Sequence, residues 1–206
     1  MANPWDIPRS APLRAGVRNE DELFLSVGRA LSKWEGLEAE MGGIYAALTT
    51  GPGERYVAPA IRAFGAVTNT NSRAEMIAQA AEAFFHLTAF HLTADYAQKK
   101  VELETELKDI LKSYRGWAGR RNDIAHGYST ASQHPDYTDD SQPIITTYSL
   151  CPSHGHSRKW ELNMEPAYHY ISREIDSFGV AFDALALQVS YFAAKLDVWR
   201  GSERNR

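Results

Sequence analysis

Midway along this chain stands the run Arg121-Asn122-Asp123-Ile124-Ala125-His126, with Arg120 just before it. A guanidinium, a carboxamide and an imidazole so close together suit phosphate chemistry. Imidazole is the side chain that exchanges a proton near neutral pH. A guanidinium presents a planar fork of donors to oxygens on which charge is building. In chemistry of that kind His126 would be the acid/base, Arg121 the transition-state stabiliser and Asn122 the positioning group. Asp123 places a negative charge inside the run and does nothing for RNA binding.

Lys108, Lys112 and Arg115 recur at i, i+4 and i+7 on the helix that leads to this run. Together with Arg120 they form the expected phosphate-tracking set. Glu104 and Asp109 lie among them, so an ordinary solvated helix face fits the same residues. Cys151-Pro152-Ser153-His154-Gly155-His156, with His134, has zinc-like residue types but no standard ligand spacing. A polar hairpin loop is the expectation there, with no metal. Gly51-Pro52-Gly53 is a turn rather than a phosphate cradle, and neither a dinucleotide fingerprint nor a serine nucleophile elbow is present. No cofactor is expected.

The elements that must position these groups are mainly helical. Ile171, Ile175, Phe178, Phe182, Leu185, Val189, Phe192, Leu196 and Trp199 alternate spacings of four and three, which predicts one long amphipathic helix. Asn163 is its expected N-cap and Gly201 its end. A first long helix is expected from about Glu20 to Leu48, with Val27, Leu31, Trp34, Leu37, Met41, Ile44 and Leu48 as its stripe. A short helical piece near Pro59–Phe64 follows. Ser72-Arg73-Ala74-Glu75 reads as a capping box that opens a helix carrying Met76, Ile77, Ala80, Phe84 and Leu87. A break near Thr93 precedes the next helix, whose seam is Leu103, Leu107, Ile110, Tyr114 and Trp117. Tyr128–Gln142 is polar and turn-like. Ile144–Leu150 alternates as a strand, with Lys159–Leu162 as its expected hairpin partner. The expected fold is all-α: an up-down bundle of four long helices with a small β-hairpin, at about 143–163, inserted before the last.

Continuing the third long seam in register brings Arg121 and then Ile124 to inward-facing positions. Burying a guanidinium is costly unless it is paired, and sequence rules tend to break at functional sites. In a regular helix Arg121 and His126 point about 140° apart, whereas Asn122 and His126 share a face. Either the helix unwinds near Gly119, or a second copy of the chain supplies the missing group. A purely structural reading pairs Arg121 with a buried acid and lets His126 cap the helix. Gly127 is expected to terminate it.

The chain has 206 residues, 44% of them hydrophobic and 23% charged, a globular balance that suits one domain at 19–200, with an extended arm at 1–18 and a polar tail at 201–206. Net charge is −4, so any attraction to nucleic acid must be local. Cys151 is the single cysteine. With no signal peptide and no membrane span expected, the reading is cytoplasmic.

Arg120-Arg121-Asn122-Asp123-Ile124-Ala125-His126-Gly127 resembles the signature of HEPN-domain proteins: an arginine, a polar residue, three further positions and a histidine. The HEPN fold is an up-down bundle of four or five helices, in line with the elements above. The resemblance implies a metal-independent endoribonuclease that works as a homodimer, with the motif of each copy lining one cleft. It implies a defence, stress or toxin–antitoxin setting, with an antitoxin or other protein partner. Arg121, Asn122 and His126 match the motif positions; Arg120 is followed by arginine rather than by Asn or Asp. The alternative that the resemblance carries is a non-catalytic module that binds a nucleotide, RNA or protein partner.

Overall fold

The computed structural model describes residues 16–50, 57–87, 94–135, 144–152, 166 and 168–204. In chain order these form α1 (Glu20–Thr49), α2 (Ala58–Ala66), α3 (Thr70–Leu87), α4 (Ala94–His126), β1 (Gly127–Pro135), β2 (Ile144–Pro152) and α5 (Ser172–Arg204). The fold is mainly helical, with four long helices, the short α2 and an antiparallel hairpin before the last helix. That is the expected fold class.

Local signals account for most of the helix starts. Asn19 caps α1, its Oδ1 accepting the Asp21 N–H at 2.9 Å, with Glu20, Asp21 and Glu22 in the favourable first turn. At α3 the expected capping box at Ser72 is displaced. The helix begins at Thr70, and Asn69 Oδ1 accepts the Ser72 N–H at 3.1 Å. α5 starts at Ser172, later than the Asn163 cap suggested, and Asn163 lies outside the described residues. Glu174 supplies half a capping box there, with its Oε2 accepting the Ile171 N–H at 3.0 Å. The residues around Thr93 lie outside the described residues, between α3 and α4.

All nine expected seam residues of α5 are buried. In α1 the stripe is buried from Trp34 onward, but upstream it runs through Leu23, Ser26 and Ala30, leaving Val27 and Leu31 half-buried. The α3 stripe is rotated by one position. Ala74, Ile77, Ala81 and Phe85 are buried, whereas Met76, Ala80 and Phe84 are half-buried. In such an alanine-rich helix, small residues on two faces leave the periodicity ambiguous.

β2 is the strand expected at Ile144–Leu150, but its partner is β1, with Gly127 opposite Pro152 and Pro135 opposite Ile144. The polar stretch after the motif is therefore a strand, because tertiary pairing overrides its turn-like composition. The segment expected as partner, Lys159–Leu162, is outside the described residues. β2's other edge pairs with Val17 at Tyr148 and with Tyr170 at Leu150. The last residues of the N-terminal arm are thus tied to the sheet.

The described residues divide into two compact units. One holds α1 up to Trp34, α4 from Arg120, the hairpin and α5 up to Ala181; the other holds the remainder. The core of the first includes Leu23, Ile124, Leu150, Tyr170, Ile175 and Phe178. That of the second includes Met41, Ile77, Ile110, Tyr114, Phe192 and Trp199. There, Glu38 is buried and accepts from the Tyr114 hydroxyl at 2.7 Å and from Arg73 at 2.5 Å. By length and composition α5 could cross a membrane over Ser172–Arg200, a property the sequence reading did not grant it. Its buried seam is equally the mark of a core helix.

Candidate active site

α4 runs as one helix through Gly116 and Gly119 to His126, so the chain does not unwind before the motif. Regular helix geometry then governs the trio. Asn122 and His126 are exposed and one turn apart on the same face; Arg121 starts on another. Its length compensates in part. Arg121 is half-buried, with its Nε shielded from solvent, yet Nη1 donates to Asn122 Oδ1 at 3.2 Å. The stem follows the apolar seam while the head group reaches toward the polar face. The inward arginine of the sequence reading is therefore only partly inward.

An acid pairing of the kind considered for Arg121 is present at its neighbour. Arg120 Nη1 donates to Asp123 Oδ2 at 3.0 Å and to the Tyr170 hydroxyl at 2.7 Å. Tyr170 in turn donates to Asp123 Oδ2 at 2.9 Å. The Tyr168 hydroxyl donates to the Asp123 backbone carbonyl at 2.9 Å, satisfying one of the carbonyls that a helix end leaves open. The two tyrosine rings stack at 4.7 Å, and Tyr170 meets Phe178 edge-on at 5.1 Å. Burial pushes the Tyr168 phenol well above the ordinary tyrosine range, helped by the charges of Asp123 and Cys151. Asp123 is thus the anchor of the motif turn.

Gly127 follows at once and opens β1. A Cβ there would lie 2.6 Å from Leu150 Cγ and 2.9 Å from the Asp123 carbonyl oxygen. The helix does end at this glycine, but close approach of β2 demands it rather than a left-handed turn. Cys151 and His169 are buried together, Sγ 3.5 Å from Nδ1. Among the described residues no cluster could hold a metal ion, and His154 and His156 lie outside them.

Lys108, Lys112 and Arg115 are all exposed on one face of α4, as expected. Arg115 pairs with Glu75 at 3.5 Å, and Lys108 shares the lining of a cavity of about 330 Å³ with Glu82 and Glu104. Acidic neighbours from α3 dilute that stripe. It belongs to the second unit, the motif to the first.

Sequence reasoning missed Tyr168 and Tyr170. The available signal was a pair of aromatic hydroxyls two residues apart, together with the Arg120–Asp123 spacing of three, which places opposite charges side by side on a helix. Compared with family models, curated proteins and solved structures, the chain has no significant match.

Proposed function

We propose that this chain is a metal-independent endoribonuclease of HEPN type, active as a homodimer in the cytoplasm. The observation that carries the reading is the Arg121–Asn122 hydrogen bond on the last turn of an unbroken helix, with His126 exposed on the face of Asn122. Arg120, Asp123, Tyr168 and Tyr170 hold that turn, while Asn122 and His126 are exposed and Arg121 is half-buried. Asn122 orients the guanidinium, Arg121 neutralises charge on the phosphate oxygens, and His126 handles the proton.

In the cleavage step the 2′-oxygen forms a bond to phosphorus as the 5′-oxygen leaves. One proton comes off the 2′-hydroxyl and another goes to the 5′-oxygen, giving a 2′,3′-cyclic phosphate and a 5′-hydroxyl. The one histidine of the motif serves one transfer at a time. Two copies related by a two-fold axis supply one base and one acid, which is the physical case for the dimer.

A second reading, a non-catalytic module for a nucleotide, RNA or protein partner, draws on the net charge of −4 and on Glu75, Glu82 and Glu104 beside the basic stripe. End-group analysis of a labelled RNA separates the two. The proposal expects cyclic phosphate ends and no cutting of a 2′-deoxy substrate. Cutting of the deoxy substrate, or ends bearing a 5′-phosphate, would overturn the mechanism.

A further inference from the structure

Among the described helices α2 is the shortest, with nine residues, too few for a helix to be stable in water by itself. Among the described residues no side chain caps its start, its first turn carries no acid and its last no base. Burial adds little along most of its length. Phe64 is its buried residue, while Ile61 and Val57, one and two turns before it, are 46% and 37% exposed. Two contacts fasten the helix at its C-terminal end. The Phe64 ring stacks on Tyr45 at 5.8 Å and lies against Gly42, where a Cβ would come within 3.3 Å of the ring. The second contact is Arg73, in the first turn of α3. Its Nε donates to the Val67 carbonyl at 2.6 Å and its Nη2 to the Gly65 carbonyl at 3.5 Å. The guanidinium also stands 5.3 Å over the Phe64 ring. Nη1 donates in another direction, to the buried Glu38 carboxylate on α1. One planar fork thus ties a weak helix to a buried anion.

We infer that α2 is a latched flap, held by Phe64 and Arg73, that opens while the rest of its unit stays folded. Elements with few buried apolar contacts open locally, at a lower free energy than the whole domain. Opening α2 gives up one buried ring and the bonds from Arg73. Opening α3 gives up a full stripe, Ala74, Ile77, Ala81 and Phe85. The latch extends to Glu38. By accepting from Nη1, and from the Tyr114 hydroxyl at 2.7 Å, that carboxylate fixes the plane of the guanidinium and aims Nε and Nη2 at the two carbonyls. Without the Glu38 charge the fork can turn away and the flap is released.

These residues all belong to the second unit, so the flap stands or falls separately from RNA cleavage. The test is amide hydrogen exchange of the full chain, read peptide by peptide, beside Arg73→Lys, Phe64→Ala and Glu38→Gln. The wild type is expected to protect α2 measurably, yet to exchange there at least about tenfold faster than in α3. Arg73→Lys keeps a charge for Glu38 but loses the fork. It should quicken exchange in α2 by about tenfold, and Phe64→Ala by more, with α3 and α4 unchanged. Glu38→Gln weakens the whole unit, so it is read as a ratio: α2 should gain more than α3. Wild-type α2 as slow as α3, or with no protection at all, would overturn the inference. A lysine or alanine variant that leaves α2 unchanged, or quickens α3 and α4 in step with it, overturns it as well. So does Glu38→Gln if α3 gains as much as α2.

Discussion

His126 and Asn122 are solvent-facing, and Arg121 is held partly by its own stem, so their removal should leave the fold intact. His126→Ala and Asn122→Ala are expected to change stability by no more than about 0.5 kcal/mol, as surface substitutions do. Asp123→Ala should behave in the opposite way. It strips an acceptor from both Arg120 and Tyr170 and should cost about 1–3 kcal/mol in a denaturant titration. Equal losses from His126→Ala and Asp123→Ala would mean that the motif as a whole is structural. This division of labour was only partly legible in the sequence. The trio was visible because its residue types and spacing announce phosphate chemistry. The role of Asp123 was not, because its partner Tyr170 lies 47 positions away and only the fold brings them together.

Among the elements, the turn from α4 into β1 is closely constrained. Gly127→Ala forces a methyl group against Leu150 and the Asp123 carbonyl, and should cost about 1–3 kcal/mol as an overpacked site. A neutral result would show that β2 can shift away. Asn69→Ala should lose about 1 kcal/mol by removing the α3 cap, while Ser72→Ala, at the position where the sequence suggested the cap, should be nearly silent. Helices were readable wherever large apolar residues repeat, as in α5. They blurred in α3, where alanines on several faces carry little information about which side is inward. β1 was unreadable for a different reason. Gly127–Pro135 is a strand because β2 pairs with it, and nothing in its own polar composition required that.

At the scale of the whole molecule, two buried phenols link stability to pH. Burial pushes both Tyr114 and Tyr168 above the ordinary tyrosine value, with Glu38 adding to the first and Asp123 to the second. Below about pH 10 the folded and unfolded chains both keep these protons, and the contribution is complete. Above it the unfolded chain ionises first, the folded chain holds more protons, and stability falls as pH rises. Tm should therefore decline steeply above about pH 10, with a shallower slope in Tyr168→Phe. An unchanged slope would remove Tyr168 from this account. Helical class and a hairpin before the last helix could be read from sequence, whereas the hairpin's first strand and the division into two units could not, the unit boundaries falling inside α1, α4 and α5 with no break in composition. The central claim is cleavage of RNA at the α4 motif. Its most direct test is incubation of total cellular RNA with the purified protein in EDTA, beside Arg121→Ala and His126→Ala. Fragmented RNA with the wild type and intact RNA with both variants is the predicted result. Intact RNA with a folded, dimeric wild type, or equal cutting by His126→Ala, would contradict it.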